Sequence, residues 1–272
     1  MLFNSLSFVV FLVIVLALYY AKILNWNNKK RMLLLASYVF YGLWNPPLII
    51  LLWISTVIDW TAGKRLAVED NPQKRKFWLL LSMFVNLGFL AFFKYGDFLL
   101  ENFVSLLNTV GVDFQAMPMD IILPMGISFY TFQTMSYTID LYKRKIEPAR
   151  TFLDFALYVT FFPQLVAGPI VRAKDLITQF YEEKRVTYNQ LVWGLFLLTI
   201  GVFQKVVLAD TLLSETADDV FGSSKLLYGI DAWIGTLAFS GQIFFDFAGY
   251  STCAIGIALM LGITLPDNFR YP

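Results

Sequence analysis

The chain has 272 residues, of which 58% are hydrophobic and only 15% charged, and its mean hydropathy is +0.62. A soluble domain carries about a quarter charged residues, so this composition excludes an ordinary soluble fold and points to membrane-crossing helices. A formal net charge of +1 gives no surface for nucleic acid, and a single cysteine, Cys253, excludes an intramolecular disulfide and a cysteine zinc site. The sequence has no histidine, so it lacks the commonest metal ligand and the commonest base near neutral pH.

A bilayer core takes roughly 20 apolar residues per helical span. The first apolar run, 2–24, is too long for a typical signal-peptide core and lacks the basic stretch before it and the cleavage site after it; it reads as a retained helix. A paired segment follows at 32–44 and 47–62, broken at Asn45-Pro46-Pro47. Further segments are expected at 77–95, 120–142, 152–171, 188–208 and 228–263. The last is too long for one straight span, and a bend or split is expected near Phe247-Ala248-Gly249-Tyr250. The chain reads as one all-α polytopic membrane domain over 1–272, with no internal repeat.

Basic residues gather in alternate loops. Lys22, Lys29, Lys30 and Arg31 lie between the first two segments, Lys64–Lys76 supplies five more, and Lys143, Arg144, Lys145 and Arg150 follow 120–142. Arg172, Lys174, Lys184 and Arg185 follow 152–171, whereas 96–119 and 209–227 are acidic, with Lys225 the one basic residue in either. The positive-inside rule places the basic loops in the cytoplasm and the N-terminus outside. Segment 152–171 then has basic loops at both ends, so it is expected to enter and leave on the same side. Pro163, Gly168 and Pro169 break the helical ladder there, as in a re-entrant segment facing an enclosed cavity.

Two stretches stand out chemically. Phe161–Arg172 combines two prolines, a glycine and Gln164 at membrane depth, with Arg172 at the cytoplasmic mouth; a kinked helix is the plainer reading. Gln242–Tyr250 places Asp246 inside an apolar run, where a carboxylate requires a cavity or a partner; Tyr250 and Gln242 are candidate structural partners. Lys205 and Asp210 sit near one end of the 188–208 segment, where Lys205 is expected to snorkel to the interface. Pro124–Gln133 is rich in small and hydroxylated residues suited to helix packing. No phosphate-binding loop, metal cluster or Ser-His-Asp arrangement is present in the sequence.

Three motifs in order resemble the membrane-bound O-acyltransferase family, closest to its bacterial branch that acetylates exopolysaccharides such as alginate: Leu123–Gln133, Phe162–Arg172, and Gln242–Ser251 continuing to Leu265–Pro272. The resemblance covers essentially the whole chain. It implies tilted helices enclosing a tunnel and transfer of an acetyl group from cytoplasmic acetyl-CoA to hydroxyls of an exported polysaccharide. The implied setting is the bilayer of the bacterial inner membrane, with periplasmic acetyltransferases as partners. Gln164, Gly168, Pro169 and Arg172 would shape the cytoplasmic side, with Arg172 meeting a phosphate-bearing donor. Asp246 and Tyr250 would orient groups in the cavity, and Gln133 and Gln242 are further lining candidates. The family's catalytic histidine is expected beyond Pro272, so the chain reads as incomplete at its C-terminus, with no catalytic residue or metal ligand of its own; a short protein that has lost the chemistry is the alternative. A D-alanyl transfer protein of teichoic acid modification is the rival enzyme reading, and a flippase or transporter of lipid-linked sugars the rival of another class.

Overall fold

The computed structural model describes residues 3–115, 121–166, 168–223 and 228–269. The beginning of the expected 120–142 segment, Ala167, Lys225 and the closing Arg270-Tyr271-Pro272 lie outside the described residues. The described chain is helical without strands. Among the described residues, four helices are long and apolar enough to cross a membrane: Pro46–Val68, Pro72–Thr109, Tyr188–Phe221 and Gly229–Met260. The protein is a multi-pass membrane protein.

Local chemistry sets most helix starts. Helix α1 (Leu6–Tyr20) is capped by Ser5, which accepts from the Phe8 N–H, and α2 (Trp26–Gly42) by Asn25. Pro46-Pro47 opens a short 3₁₀ turn leading into α3 (Ile49–Val68). Asn71 followed by Pro72 at the first helical position starts α4 (Pro72–Thr109). This last helix runs well past the expected end at residue 95. At 1.5 Å per residue its 38 residues reach about 57 Å, so the acidic 96–109 stretch continues the helix instead of forming a loop. Nothing in that stretch breaks a helix, and Asp97 and Glu101 sit on exposed turns.

Two features of the basic map also change. Lys29, Lys30 and Arg31 lie within the first turns of α2 and not in a loop. Lys30 is buried, with its ammonium 2.5 Å from the Asp154 carboxylate. Arg75, near the start of α4, is buried too and donates to the carbonyls of Leu66, Glu69, Leu141 and Tyr142. It thereby closes the C-terminal ends of α3 and of α5 (Ile127–Tyr142), where orphan carbonyls need donors.

Helices α3, α4 and α5 meet along a buried polar seam around Asp59. Its carboxylate accepts from Ser82 Oγ at 2.5 Å and from Asn86 Nδ2 at 3.0 and 2.9 Å, while Ser55 donates to the Asn86 carbonyl at 2.7 Å. With little hydrophobic drive between helices in lipid, such interhelical hydrogen bonds help to choose the packing.

Residues 188–260 form a long antiparallel pair. Helix α9 (Tyr188–Phe203) continues without a break through a π-helical segment, Gln204–Leu213, into α10 (Ser214–Phe221). The expected loop at 209–227 is therefore largely helical. Its partner α11 (Gly229–Met260) is one unbroken helix of 32 residues, so the expected split near Gly249 is absent. Gly249 serves close approach. A Cβ there would lie 2.8 Å from the Gly201 carbonyl, and one on Gly201 would lie 2.6 Å from the Gly249 carbonyl. Two turns away Gly194 and Gly256 repeat the contact, a small-residue interface of the kind membrane helices use.

Candidate functional site

The first candidate region is a broken helix. Helix α6 (Phe152–Thr160), capped by Thr151, ends at Phe161, and one further turn, α7 (Phe162–Leu165), follows. The break diverts backbone groups in an identifiable way. The Phe162 N–H, which in a continuous helix would reach the Tyr158 carbonyl, donates to Ser37 Oγ of α2 at 3.1 Å. Pro163 has no N–H to offer the next carbonyl back. The freed Tyr158 carbonyl takes two amide donors instead, Gln133 Nε2 at 2.8 Å and Gln164 Nε2 at 2.9 Å. The Tyr158 hydroxyl in turn donates to the Gln133 carbonyl at 3.0 Å. Gln133 and Gln164, expected as lining residues, are buried and hold the break together. Gln164 Oε1 remains without a hydrogen-bond partner among the described residues.

The first and second motifs interlock at this break. Gly126, the residue before α5, has φ +71°, and a Cβ on it would fall 2.3 Å from the Leu165 carbonyl. Only glycine meets both demands without strain. Gly168 is equally confined, with Gln164 Cα 2.3 Å from where its Cβ would be, and it and Pro169 are buried. Arg172 stands apart, exposed at the N-terminal end of the short helix α8 (Ala173–Leu176). Replacing Ser37 with Ala is expected to orphan the Phe162 N–H and to cost about 1–2 kcal/mol. A thermal melt of the detergent-solubilised protein checks this.

The second candidate region is a charged cluster on the α9–α11 pair. Lys205 Nζ lies 2.6 Å from Asp246 Oδ1 and 2.6 Å from Asp210 Oδ1, and 5.5 Å above the Tyr250 ring. Lys205, expected to snorkel, is engaged by two carboxylates. The π-helical segment explains the pairing: its i→i+5 repeat stacks residue 210 under residue 205, where an α-helix would bring 208 or 209. Close Gly201–Gly249 packing then brings Asp246, one turn from Gly249, within reach of the same ammonium. Asp246 pairs with Lys205, where the sequence offers Tyr250 or Gln242 as hydrogen-bond partners. Asp246 retains 47% of its side-chain exposure, so the cluster has an open side. Gln242, one turn before Asp246, is half-buried. On the Tyr250 side, the gap among Phe3, Asn4, Val202, Lys205, Tyr250 and Cys253 has no room for a water molecule.

Aromatic packing joins the two regions. Phe3 touches Tyr250 at 5.5 Å between centroids and Phe40 at 5.8 Å, and Phe40 meets Phe162 at 5.8 Å. Phe129 of the first motif packs on Phe247 of the third at 5.8 Å. The chain after α11 folds back on it, where Asn268 Nδ2 donates to Ser251 Oγ at 3.0 Å and Phe269 packs on Phe247 at 5.2 Å. The three motifs, dispersed over 147 residues of sequence between Leu123 and Phe269, therefore build one contiguous region of the fold. Among the described residues no group of three or more potential metal ligands is present.

A helical membrane bundle whose broken helix packs through aromatic side chains toward a helical pair carrying a charged cluster defines an integral membrane protein. Residues 149–272 match the family model described as MBOAT, membrane-bound O-acyltransferase family, and the chain belongs to that family. It is 38% identical over 274 residues to a probable alginate O-acetylase of Azotobacter vinelandii, covering 100% of this chain and 54% of that protein. It is 36% identical over 269 residues to a peptidoglycan O-acetyltransferase of Helicobacter pylori, covering 89% of this chain and 50% of that protein. A teichoic acid D-alanyltransferase of Lacticaseibacillus rhamnosus is 30% identical over 161 residues, covering 54% of this chain and 38% of that protein. The chain spans about half the length of the curated relatives it matches.

Proposed function

We propose that this chain forms part of a membrane O-acetyltransferase that moves acetyl groups from cytoplasmic acetyl-CoA to hydroxyls of an exported polysaccharide such as alginate. The observation that carries this reading is the extent of similarity. Proteins described as O-acetylases align along nearly the whole chain, whereas the D-alanyltransferase of Lacticaseibacillus rhamnosus aligns along 54% of it. The reading places the protein in the bacterial inner membrane with its N-terminus outside, its basic loops in the cytoplasm and periplasmic acetyltransferases as its partners.

In such a transfer the acceptor oxygen attacks the thioester carbonyl, the carbon–sulfur bond breaks, and coenzyme A leaves as its thiol. A base must take the hydroxyl proton. With no histidine among these 272 residues, the contribution assigned to them is positional. Lys205, held between Asp210 and Asp246, presents a fixed positive charge on the open side of the cluster, where it would orient an oxygen that becomes negative. The broken helix, joined to this pair through Phe162, Phe40, Phe3 and Tyr250, holds the neighbouring helices in register with it.

The test is chemical. Deleting the gene in its own host should remove ester-linked acetyl from the surface polysaccharide, read by proton NMR before and after mild alkali. Loss of esterified D-alanine with acetyl intact would replace this reading with the D-alanyl one. Neither loss, together with altered export of the lipid-linked sugar, would favour a transporter.

A further inference from the structure

A separate cleft lies between the basic loop after α5 and the short helices that follow the break. It has a volume of about 290 Å³, and it opens at Lys145, three residues beyond the end of α5 at Tyr142. Buried Ile177 forms part of its floor, and Tyr181 part of its wall. The Arg150 guanidinium lies over the Tyr181 ring at 4.2 Å. Stacking covers the face of a guanidinium and leaves its N–H edges free for an anion. Lys145 and Lys174 complete the basic lining, and Glu147 is the one carboxylate in it. None of the three cations takes part in an ion pair among the described residues.

A solvated charge run would leave its arginine free. Here the guanidinium is pre-oriented over an apolar floor, flanked by two ammonium groups, in a concave site. That arrangement matches an anion with several oxygens, able to accept the guanidinium fork and point charges together, which is the chemistry of a phosphate ester. A volume near the lower end of ordinary ligand pockets suits a headgroup and not an extended nucleotide thioester. The cleft lies just past the end of α5, which Arg75 ties to the C-terminal end of the membrane-length helix α3; the end of a membrane helix on the side where basic loops collect is where anionic lipid headgroups lie. We propose that this cleft binds a phosphate ester, supplied by the headgroup of an anionic phospholipid. The site is independent of the transfer chemistry argued above.

Native mass spectrometry of the detergent-purified protein, titrated with phosphatidylglycerol or phosphatidylcholine, tests this. Phosphatidylglycerol should be retained preferentially, and the double variant Arg150→Gln/Lys174→Gln should weaken its binding about thirtyfold with phosphatidylcholine unchanged. All three cations are exposed, so the fold should survive, and a matching melting temperature checks that. The single variant Lys145→Gln, which leaves the stacked Arg150 in place, should weaken binding about fivefold. Coenzyme A added as competitor separates the two sources of phosphate. Displacement of the lipid by coenzyme A at lower concentration than by excess lipid would overturn the lipid assignment in favour of a soluble phosphate ester. Equal lipid binding by wild type and both folded variants would overturn the site altogether.

Discussion

Replacing Lys205 with Met is expected to destabilise the protein by about 1–2 kcal/mol, because it leaves the half-exposed Asp210 and Asp246 facing each other without a cation. The geometry also predicts an asymmetry. Asp246→Asn removes one of two carboxylates held 2.6 Å from the same ammonium, so Lys205 keeps Asp210 and the cost should be much smaller. The double variant Lys205→Met/Asp246→Asn should recover part of the single variant's loss, since one stranded charge is gone. Lys205→Arg keeps the charge and should remain near wild type in stability. If the cluster orients the reacting oxygen, polysaccharide acetylation should fall about tenfold to a hundredfold in Lys205→Met. It should also fall in Asp246→Asn, in spite of that variant's better stability. Melting temperature and acetyl content of the same membranes separate the two effects.

The other large effect belongs to the Lys30–Asp154 pair, whose side chains are only 5% and 2% exposed. Asp154→Ala should cost about 3–5 kcal/mol, because Lys30 is left charged and buried with no compensating carboxylate. It also removes the acceptor of the Thr151 hydroxyl, at 2.7 Å, at the start of α6. Replacing both members with apolar residues, Lys30→Met/Asp154→Leu, should restore most of that stability, since the cost arises from the unpaired charge and not from the missing contact. Because the pair ties α2 to α6, it fixes where the broken helix begins. Protein level and melting temperature in detergent report the order expected: wild type, then the double variant, then Asp154→Ala.

The sequence carried the fold class because apolar length and charge clustering are properties of single segments. It carried the break at Phe161–Gly168 because proline removes a backbone donor wherever it stands. Gly249 misled for the opposite reason: glycine permits a break but also permits close approach, and the choice belongs to Gly201 on another helix. Lys205 read as a snorkelling residue because it sits near the end of the expected 188–208 segment, and an α-helical count sets it and Asp210 on different faces. The five-residue spacing between them fits a π-turn, and that spacing was the available signal. Asp59 was legible by the same rule that singled out Asp246, a carboxylate inside an apolar run, yet its role depends on Ser82 and Asn86 of α4. Lys30 hid among Lys29 and Arg31, since nothing local distinguishes the one basic residue that folding buries.

Acetyl transfer in inside-out membrane vesicles tests the central claim most directly. Vesicles from cells expressing the native protein, supplied with acetyl-labelled coenzyme A on the cytoplasmic face, should place alkali-labile label on lumenal polysaccharide. Vesicles carrying folded Asp246→Asn should place markedly less. Label that reaches the polysaccharide equally with and without the protein would contradict the account.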